Sequence, residues 1–192
     1  MSEAVSALGG ATFEGYCILR DAGPTGMVTI RGDLGAAAFG KAVKKATGCA
    51  LPKQREIVTN GGRRLAWMSP DELLLICDQG EAPGMAAALA ETLKGQHALA
   101  LDVSDARALF RLEGAGCREV IAKLSPANLA PGAFGPGEMR RTRLAQVAGA
   151  FHMPDESSVE IVVFRSVARY AFDLIANAAR PGSEVGLFAP AP

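Results

Sequence analysis

Few side chains of this chain are equipped for chemistry, and their spacing decides which chemistry is open to them. His97 and His152 are the two histidines among 192 residues. His97 follows Gly95-Gln96 at a helix-to-strand turn, a surface position. His152 ends an apolar strand on the face opposite Phe151, where an interface or turn role outweighs that of a general base. Neither has a partner at HxxE, HxH or ExxH spacing, so the pair predicts no metal centre. Cys117 opens a helix, where free amides lower a thiol pKa and make a nucleophile. Its i, i+3 and i+4 neighbours are apolar, however, which makes it a core residue. Asp71 and Glu72 are adjacent acids, but consecutive strand residues point to opposite faces, which separates them as a carboxylate pair. Asp71 is left to fix its own turn by accepting local amides.

Gly114-Ala115-Gly116-Cys117-Arg118-Glu119 follows a strand and opens a helix, as a dinucleotide fingerprint would. Glu119 stands where the third glycine is required and would repel a pyrophosphate, so NAD or FAD binding by this loop is rejected. Catalytic, cofactor-binding and metal-binding residues are therefore expected to be lacking in the chain itself. The residues assigned to partner contact are Arg140, Arg141 and His152, in and after the proline- and glycine-rich stretch Pro131–Gly137. The lone tryptophan, Trp67, reads as core, with Leu65 on its own face.

The elements that must position these groups follow from periodicity. Met27–Arg31 reads as a strand, and Asp33 is placed to cap a helix that buries Phe39, Val43 and Ala46 and ends at Gly48. Arg55–Thr59 and Arg63–Met68 flank Asn60-Gly61-Gly62, a hairpin in which Asn-Gly supplies the positive φ of a primed turn. Leu73–Cys77 is apolar on both faces and reads as a central strand. Ala82–Lys94 is a helix with small residues that lie close on a sheet, and Leu99–Val103 is a strand. This half is a split βαβ unit with an extra hairpin strand, β-α-β-β-β-α-β.

The second half repeats the theme. Ala108, Phe110 and Leu112 alternate with Arg107, Arg111 and Glu113 in a strand, and Cys117, Val120, Ile121 and Leu124 then fall at helical spacing until Ser125-Pro126. Strands Arg143–His152 and Val159–Phe164 follow, then a helix capped by Ser166 and packing Val167, Tyr170, Ala171, Leu174 and Ile175. Val185–Phe188 is an added edge strand. The fold class is α+β, two pseudo-equivalent ferredoxin-like β-α-β-β-α-β lobes in one body. Residues 1–14 form a flexible segment and 15–188 a single domain, with lobes at about 27–103 and 107–188.

Composition narrows the function classes. The chain is 49% hydrophobic, and twenty basic residues balance twenty acidic ones. No basic run is interleaved with aromatics, so nucleic acid is not an expected partner. The N-terminal MSEAVSALGGATFEG has neither a basic n-region nor a long apolar core, and Met85–Ala90 is far too short to span a bilayer. Four dispersed cysteines without a CxxC pair fit a reduced, cytoplasmic protein.

Three ordered motifs carry a family likeness: Trp67–Leu75, WMSPDELLL; Asp102–Leu129, DVSDARALFRLEGAGCREVIAKLSPANL; and Arg165–Leu174, RSVARYAFDL. From about Met27 to about Ala179 the chain resembles the gamma subunit of heterotetrameric sarcosine oxidase, a smaller relative of the folate-binding domain of glycine-cleavage aminomethyltransferases. The resemblance implies a noncatalytic packing subunit joined to alpha, beta and delta subunits. Such assemblies oxidise sarcosine to glycine with oxygen, release hydrogen peroxide and pass a one-carbon unit to tetrahydrofolate. It places FAD, FMN, NAD, tetrahydrofolate and zinc in the partner subunits. In folate-binding relatives a turn between two long strands carries acids that hold the pterin or amine. The corresponding turn here reads as Gly149–Pro154, with acids only beyond it, at Asp155-Glu156. Where gamma-like relatives often show Cys-Pro-Leu-Asp, this chain has Ser125-Pro126-Ala127-Asn128. The alternative function is a stand-alone folate-binding or folate-dependent one-carbon transfer protein.

Overall fold

The computed structural model describes residues 4–188. It resolves into two units, one continuous over Pro24–Asp105 and one built from the chain on either side of it. In chain order the elements are β1 (Thr12–Glu14), β2 (Ile18–Asp21), β3 (Gly26–Arg31), α1 (Ala37–Thr47), β4 (Ile57–Asn60), β5 (Arg63–Ser69), β6 (Glu72–Cys77), α2 (Ala82–Thr92) and β7 (Leu99–Asp102). They continue as β8 (Arg107–Glu113), α3 (Cys117–Ala122), β9 (Met139–Leu144), β10 (Val147–Asp155), β11 (Ser158–Phe164) and α4 (Ala168–Ala178). Every strand pair is antiparallel.

The continuous unit holds a five-stranded sheet in the order β4-β5-β6-β3-β7. Its sequence of elements, β-α-β-β-β-α-β, is the one the periodicity predicts. All six residues of β6 are buried, as a central strand demands. Val28, Ile30, Leu73 and Leu75 on one sheet face pack with Phe39 and Val43 of α1 and Leu89 of α2. Local details differ. Helix α1 has Ala36 as its N-cap residue, without a side-chain cap. Asp33 instead accepts the Gly35 amide at 2.9 Å and so builds the turn before the helix. The third buried residue of α1 is Thr47, whose hydroxyl bonds back to the Val43 carbonyl, while Ala46 is half-buried. Strand β4 begins two residues later than expected, because Arg55 takes a left-handed φ of 64°. In the hairpin loop the positive φ falls on Gly61, at 59°, and not on Asn60. Asn60 still pairs with Arg63, and its amide donates to the Gly48 carbonyl at the end of α1.

The other unit holds a six-stranded sheet in the order β1-β2-β8-β11-β10-β9. Phe110, Phe151, Ile161 and Leu19 pack with Val120 and Ile121 of α3 and Phe172 and Ile175 of α4. Strands β1 and β2 carry no periodic signal and were not foreseen. Part of the segment expected to be flexible thus forms a strand, and residues 4–23 group with 106–188. Arg143–His152 is not one strand: Ala145 adopts φ 49° and turns the chain, so β9 and β10 form a hairpin. Helix α4 is preceded by a 3-10 turn over Arg165–Val167, which puts Val167 rather than Ser166 at its cap. Residues 185–188 form no strand, because the Val185 and Leu187 amides are both held by the Glu119 carboxylate.

The two sheets share one plan. Matching β4-β5-β6-β3-β7 to β9-β10-β11-β8-β2 pairs each strand with its counterpart, and β2 from the N-terminal segment takes the place that β7 holds in the continuous unit. Among the described residues, no helix is long and apolar enough to cross a membrane.

Candidate functional site

The residues assigned to partner contact lie on the β9–β10 hairpin, at one edge of the six-stranded sheet. Alternation along β9 turns Leu144 into the core and leaves Arg141 and Arg143 exposed. Arg140 is drawn back onto its own chain. Its guanidinium donates to the Ala133 carbonyl at 2.8 Å and to Glu138 at 3.0 Å, and lies 5.1 Å from the centre of the Phe134 ring. It therefore braces the stretch before β9.

His152 is 2% exposed and has a partner that sequence reasoning missed. It sits directly across from Glu160 on β11, with Nε2 3.2 Å from the carboxylate. Glu160 also faces Arg111 of β8, at 3.6 Å. Arg111 donates to Glu113 at 2.9 Å, and Arg20 of β2 lies 3.6 Å from the same carboxylate. A polar row, His152–Glu160–Arg111–Glu113–Arg20, thus crosses four strands. Cross-strand pairs of this kind fix register, because a slip of one residue would move every charge to the other face. The eight-residue separation of His152 and Glu160 signals this contact only once the turn is known to lie at Glu156-Ser157.

That turn corrects a second expectation. Gly149–Pro154 belongs to β10, and the acids Asp155 and Glu156 stand at the turn itself. Both are engaged locally. Asp155 accepts the Ser157 amide and hydroxyl at 2.8 and 2.7 Å and the Ser158 hydroxyl at 2.8 Å, which hold its carboxyl below the usual range. Glu156 takes one end of Arg118 at 2.5 Å. The other end of Arg118, a buried side chain, donates to the Leu129 and Phe134 carbonyls. One guanidinium thereby ties together α3, the loop before β9 and the β10–β11 turn.

The glycine loop before α3 receives a segment of the chain itself. A Cβ at Gly116 would stand 2.5 Å from the Tyr16 ring, so the absence of a side chain admits Tyr16. Glu119, the residue that spoils the nucleotide fingerprint, accepts the Val185 and Leu187 amides at 2.8 and 3.1 Å and lies 3.3 Å from Lys123. Burial opposes its ionisation, but these amides and the ammonium outweigh it and hold the carboxyl below its ordinary value. Lys123 in turn donates to Tyr16 and to the Ala178 and Ser183 carbonyls. Burial lowers its pKa less than Tyr16 and Glu119 raise it, so it stays charged beyond its ordinary range.

The remaining candidates are placed as follows. Cys117 is buried, and desolvation pushes its thiol up to about 11, away from nucleophile character. Asp71 lies in a turn, where strand alternation does not apply, and it gathers with Glu72 on Arg31 at 3.4 and 2.9 Å. Asp71 accepts the Ser69 hydroxyl. His97 is exposed and, with Arg31, Asp33, Asp71 and Leu99, lines a groove of about 400 Å³. Trp67 is half-buried. Among the described residues, no group of three or more His, Cys, Asp or Glu side chains is arranged to hold a metal ion.

Comparison with known proteins adds the family. Residues 31–180 match the model of the sarcosine oxidase, gamma subunit family. Sarcosine oxidase subunit gamma of Arthrobacter sp is 33% identical over 135 residues, which cover 69% of this chain and 65% of the relative. The same subunit of Corynebacterium sp. (strain P-1) is 33% identical over 131 residues, covering 67% and 63%. The chain thus spans less than two thirds of the length of these curated relatives. A chain in the heterotetrameric sarcosine oxidase of Corynebacterium sp. U-96, solved with pyrrole 2-carboxylate, superposes with a TM-score of 0.79 at 26% identity, covering 94% of this chain and 90% of that one. The glycine cleavage system aminomethyltransferase T of Bartonella henselae shares the fold, with a TM-score of 0.57 at 16% identity over 82% of this chain and 44% of that one.

Proposed function

The chain belongs to the sarcosine oxidase gamma subunit family, and from that premise we propose that it is a noncatalytic subunit of a heterotetrameric sarcosine oxidase. In this reading it joins alpha, beta and delta subunits in the cytoplasm. The assembly oxidatively demethylates sarcosine to glycine with oxygen, gives hydrogen peroxide and hands a one-carbon unit to tetrahydrofolate. FAD, FMN, NAD, tetrahydrofolate and zinc are held by the partner subunits. The observation that carries the proposal is the likeness to a chain of a heterotetrameric sarcosine oxidase along 94% of this chain and 90% of that one. The side-chain inventory agrees with it: the buried Cys117 thiol is pushed up to about 11, and the acids at the β10–β11 turn are engaged by Ser157, Ser158 and Arg118. At the β9 edge, exposed Arg141 is the contact residue, with Arg140 bracing the approach to the strand and His152 fixing its register from β10.

The shared aminomethyltransferase fold favours a second reading, a stand-alone folate-binding or one-carbon transfer protein. Two measurements separate them. Tagged chain expressed in its native host should bring down two large flavoprotein subunits and a small zinc-binding one, and sarcosine-dependent peroxide formation should follow that fraction. Titration of the isolated chain with tetrahydrofolate should show no micromolar binding. Tight folate binding by a chain that recovers no partner would replace the first reading with the second.

A further inference from the structure

Charge is balanced over the chain as a whole but not along it. Residues 41–55, KAVKKATGCALPKQR, hold Lys41, Lys44, Lys45, Lys53 and Arg55 and no acid, which leaves fifteen basic residues against twenty acidic ones in the rest of the chain. All five are exposed. Elsewhere Arg20 pairs with Glu113, Arg63 with Glu81, Lys94 with Glu91 and Arg169 with Asp173. Among the described residues, none of the five side chains in 41–55 has an acidic partner.

The fold gathers these cations on one surface. Lys41, Lys44 and Lys45 stand at i, i+3 and i+4 on α1, with Cβ atoms about 5–6 Å apart on the side away from buried Phe39 and Val43. After Gly48 the chain doubles back along the helix. Leu51 packs beside Gly40, where an added Cβ would stand 3.5 Å from its side chain. Asn60 and Arg63 of the β4–β5 hairpin donate to the Gly48 and Thr47 carbonyls. Lys53 and Arg55 are therefore carried by a loop held against α1. The acids around the stretch have other partners: Glu56 accepts the Lys53 amide at 2.7 Å, Glu81 pairs with Arg63 at 3.1 Å, and Asp33 accepts the Gly35 amide. The α1 dipole offsets repulsion between Lys44 and Lys45 in its last turn, but Lys41, Lys53 and Arg55 lie outside that turn. The cluster contributes little to the stability of the unit and turns its positive field to solvent.

We propose that this basic surface, α1 with the loop after it, docks an acidic face of a partner subunit, one that presents several Asp or Glu side chains without counter-charges of its own. Complementary potentials across such a contact speed encounter and fix the docked orientation. Lysine fits this role, because its ammonium is a compact, hydrated charge on a flexible stem and meets carboxylates without demanding one fixed geometry. Two other polyanions fit less well. Nucleic acid is held by stacking and base-edge contacts as well as by charge, and residues 41–55 contain no aromatic side chain. An anionic membrane takes up the apolar face of a helix, and that face of α1, with Phe39 and Val43, is already buried. The inference rests on the subunit reading above and adds the place and chemistry of one contact.

The test uses the full chain co-expressed with its alpha, beta and delta partners. The K41Q/K44Q/K45Q/K53Q variant removes four charges at exposed positions and keeps good helix formers in α1. It should recover about tenfold less partner per folded chain at low salt, and its recovery should respond less to added salt than that of wild type. K41R/K44R/K45R/K53R keeps the charge and should recover partners as wild type does. In the wild-type complex, amine acetylation read by peptide mass spectrometry should fall severalfold at these lysines relative to the isolated chain. Unchanged acetylation of all four lysines on assembly, full recovery by the Gln variant, or a loss in the Arg variant equal to that in the Gln variant would overturn the proposal while leaving the subunit reading intact. If wild type and the Arg variant alike recover no partner, the subunit reading falls and this inference with it. A wild-type chain that binds a mixed-sequence oligonucleotide, a Gln variant that does not, and equal assembly of the two would identify the occupant as nucleic acid and refute the acidic partner face.

Discussion

Replacing Glu119 with Gln tests how a single buried carboxylate secures the end of the described chain. The wild-type side chain accepts two backbone amides, from Val185 at 2.8 Å and Leu187 at 3.1 Å, and also faces Lys123. Hydrogen bonds to a charged acceptor contribute about 1.5–3 kcal/mol each when their groups are otherwise stranded. Here the amides belong to a surface segment whose Val185 and Leu187 side chains are 70% and 57% exposed, so water replaces the carboxylate once the segment lifts. The cost of E119Q should therefore be about 1–2 kcal/mol, or about 2–8 °C in melting temperature for a chain of this size.

Amide hydrogen exchange read residue by residue is the sharper assay. Val185 and Leu187 should lose about tenfold in protection per 1.4 kcal/mol, while the β10–β11 pairing stays as it was. The acid limb gives an independent check. Because the folded Glu119 carboxyl lies below its ordinary 4.5, its contribution is present above about pH 4.5 and is lost as the pH falls through the lower folded value. Wild-type protection at the two amides should collapse in that range, and E119Q should show no such step. Equal exchange at Val185 and Leu187 in the two proteins at neutral pH would refute the clasp.

Two further substitutions probe the same unit. R118A strands the Leu129 and Phe134 carbonyls and should cost about 2–4 kcal/mol in urea denaturation, with faster proteolysis within residues 131–137; an unchanged midpoint would show that the guanidinium does not organise that loop. A145G relieves a left-handed alanine, worth about 1–2 kcal/mol, against about 0.5–1 kcal/mol of added chain entropy. The β9–β10 hairpin should gain up to about 1.5 kcal/mol by thermal or chemical unfolding, and a loss would place the strain elsewhere.

Sequence was most legible where local signals and long-range pairing agree. The NGG hairpin, the all-apolar run that became β6 and the switch from period 2 to helical spacing after Gly114 each specify one outcome, and the continuous unit follows its expected element order throughout. It was least legible where pairing alone decides. Thr12–Glu14 and Ile18–Asp21 are too short to show a period, and β2 is fixed by Glu113 and Leu112, more than ninety residues away. The Ala145-Gln146 turn contains no Gly, Pro, Asn or Asp, so β9 and β10 read as one strand. Helix starts failed for a related reason: Asp33 and Ser166 are good capping residues, but a turn and a 3-10 segment use them first. The partner of His152 stayed hidden because the misplaced turn put Glu160 out of reach. The role of Glu119 lay beyond local inspection, since its partners are peptide groups, which carry no residue code.

The interruption of one sheet by residues 24–105 also sets an order of events during synthesis. The intervening stretch completes its own strand set before the second half of the chain has left the ribosome, whereas β2 has only β1 beside it until β8 emerges. A nascent chain arrested once residue 105 has cleared the ribosome should already protect β3 through β7, while its earliest-made strands lie open to any passing sheet margin. Deleting them would leave the flank of β8 equally bare, so a shortened protein should clump on release even though its later-made lobe is chemically intact.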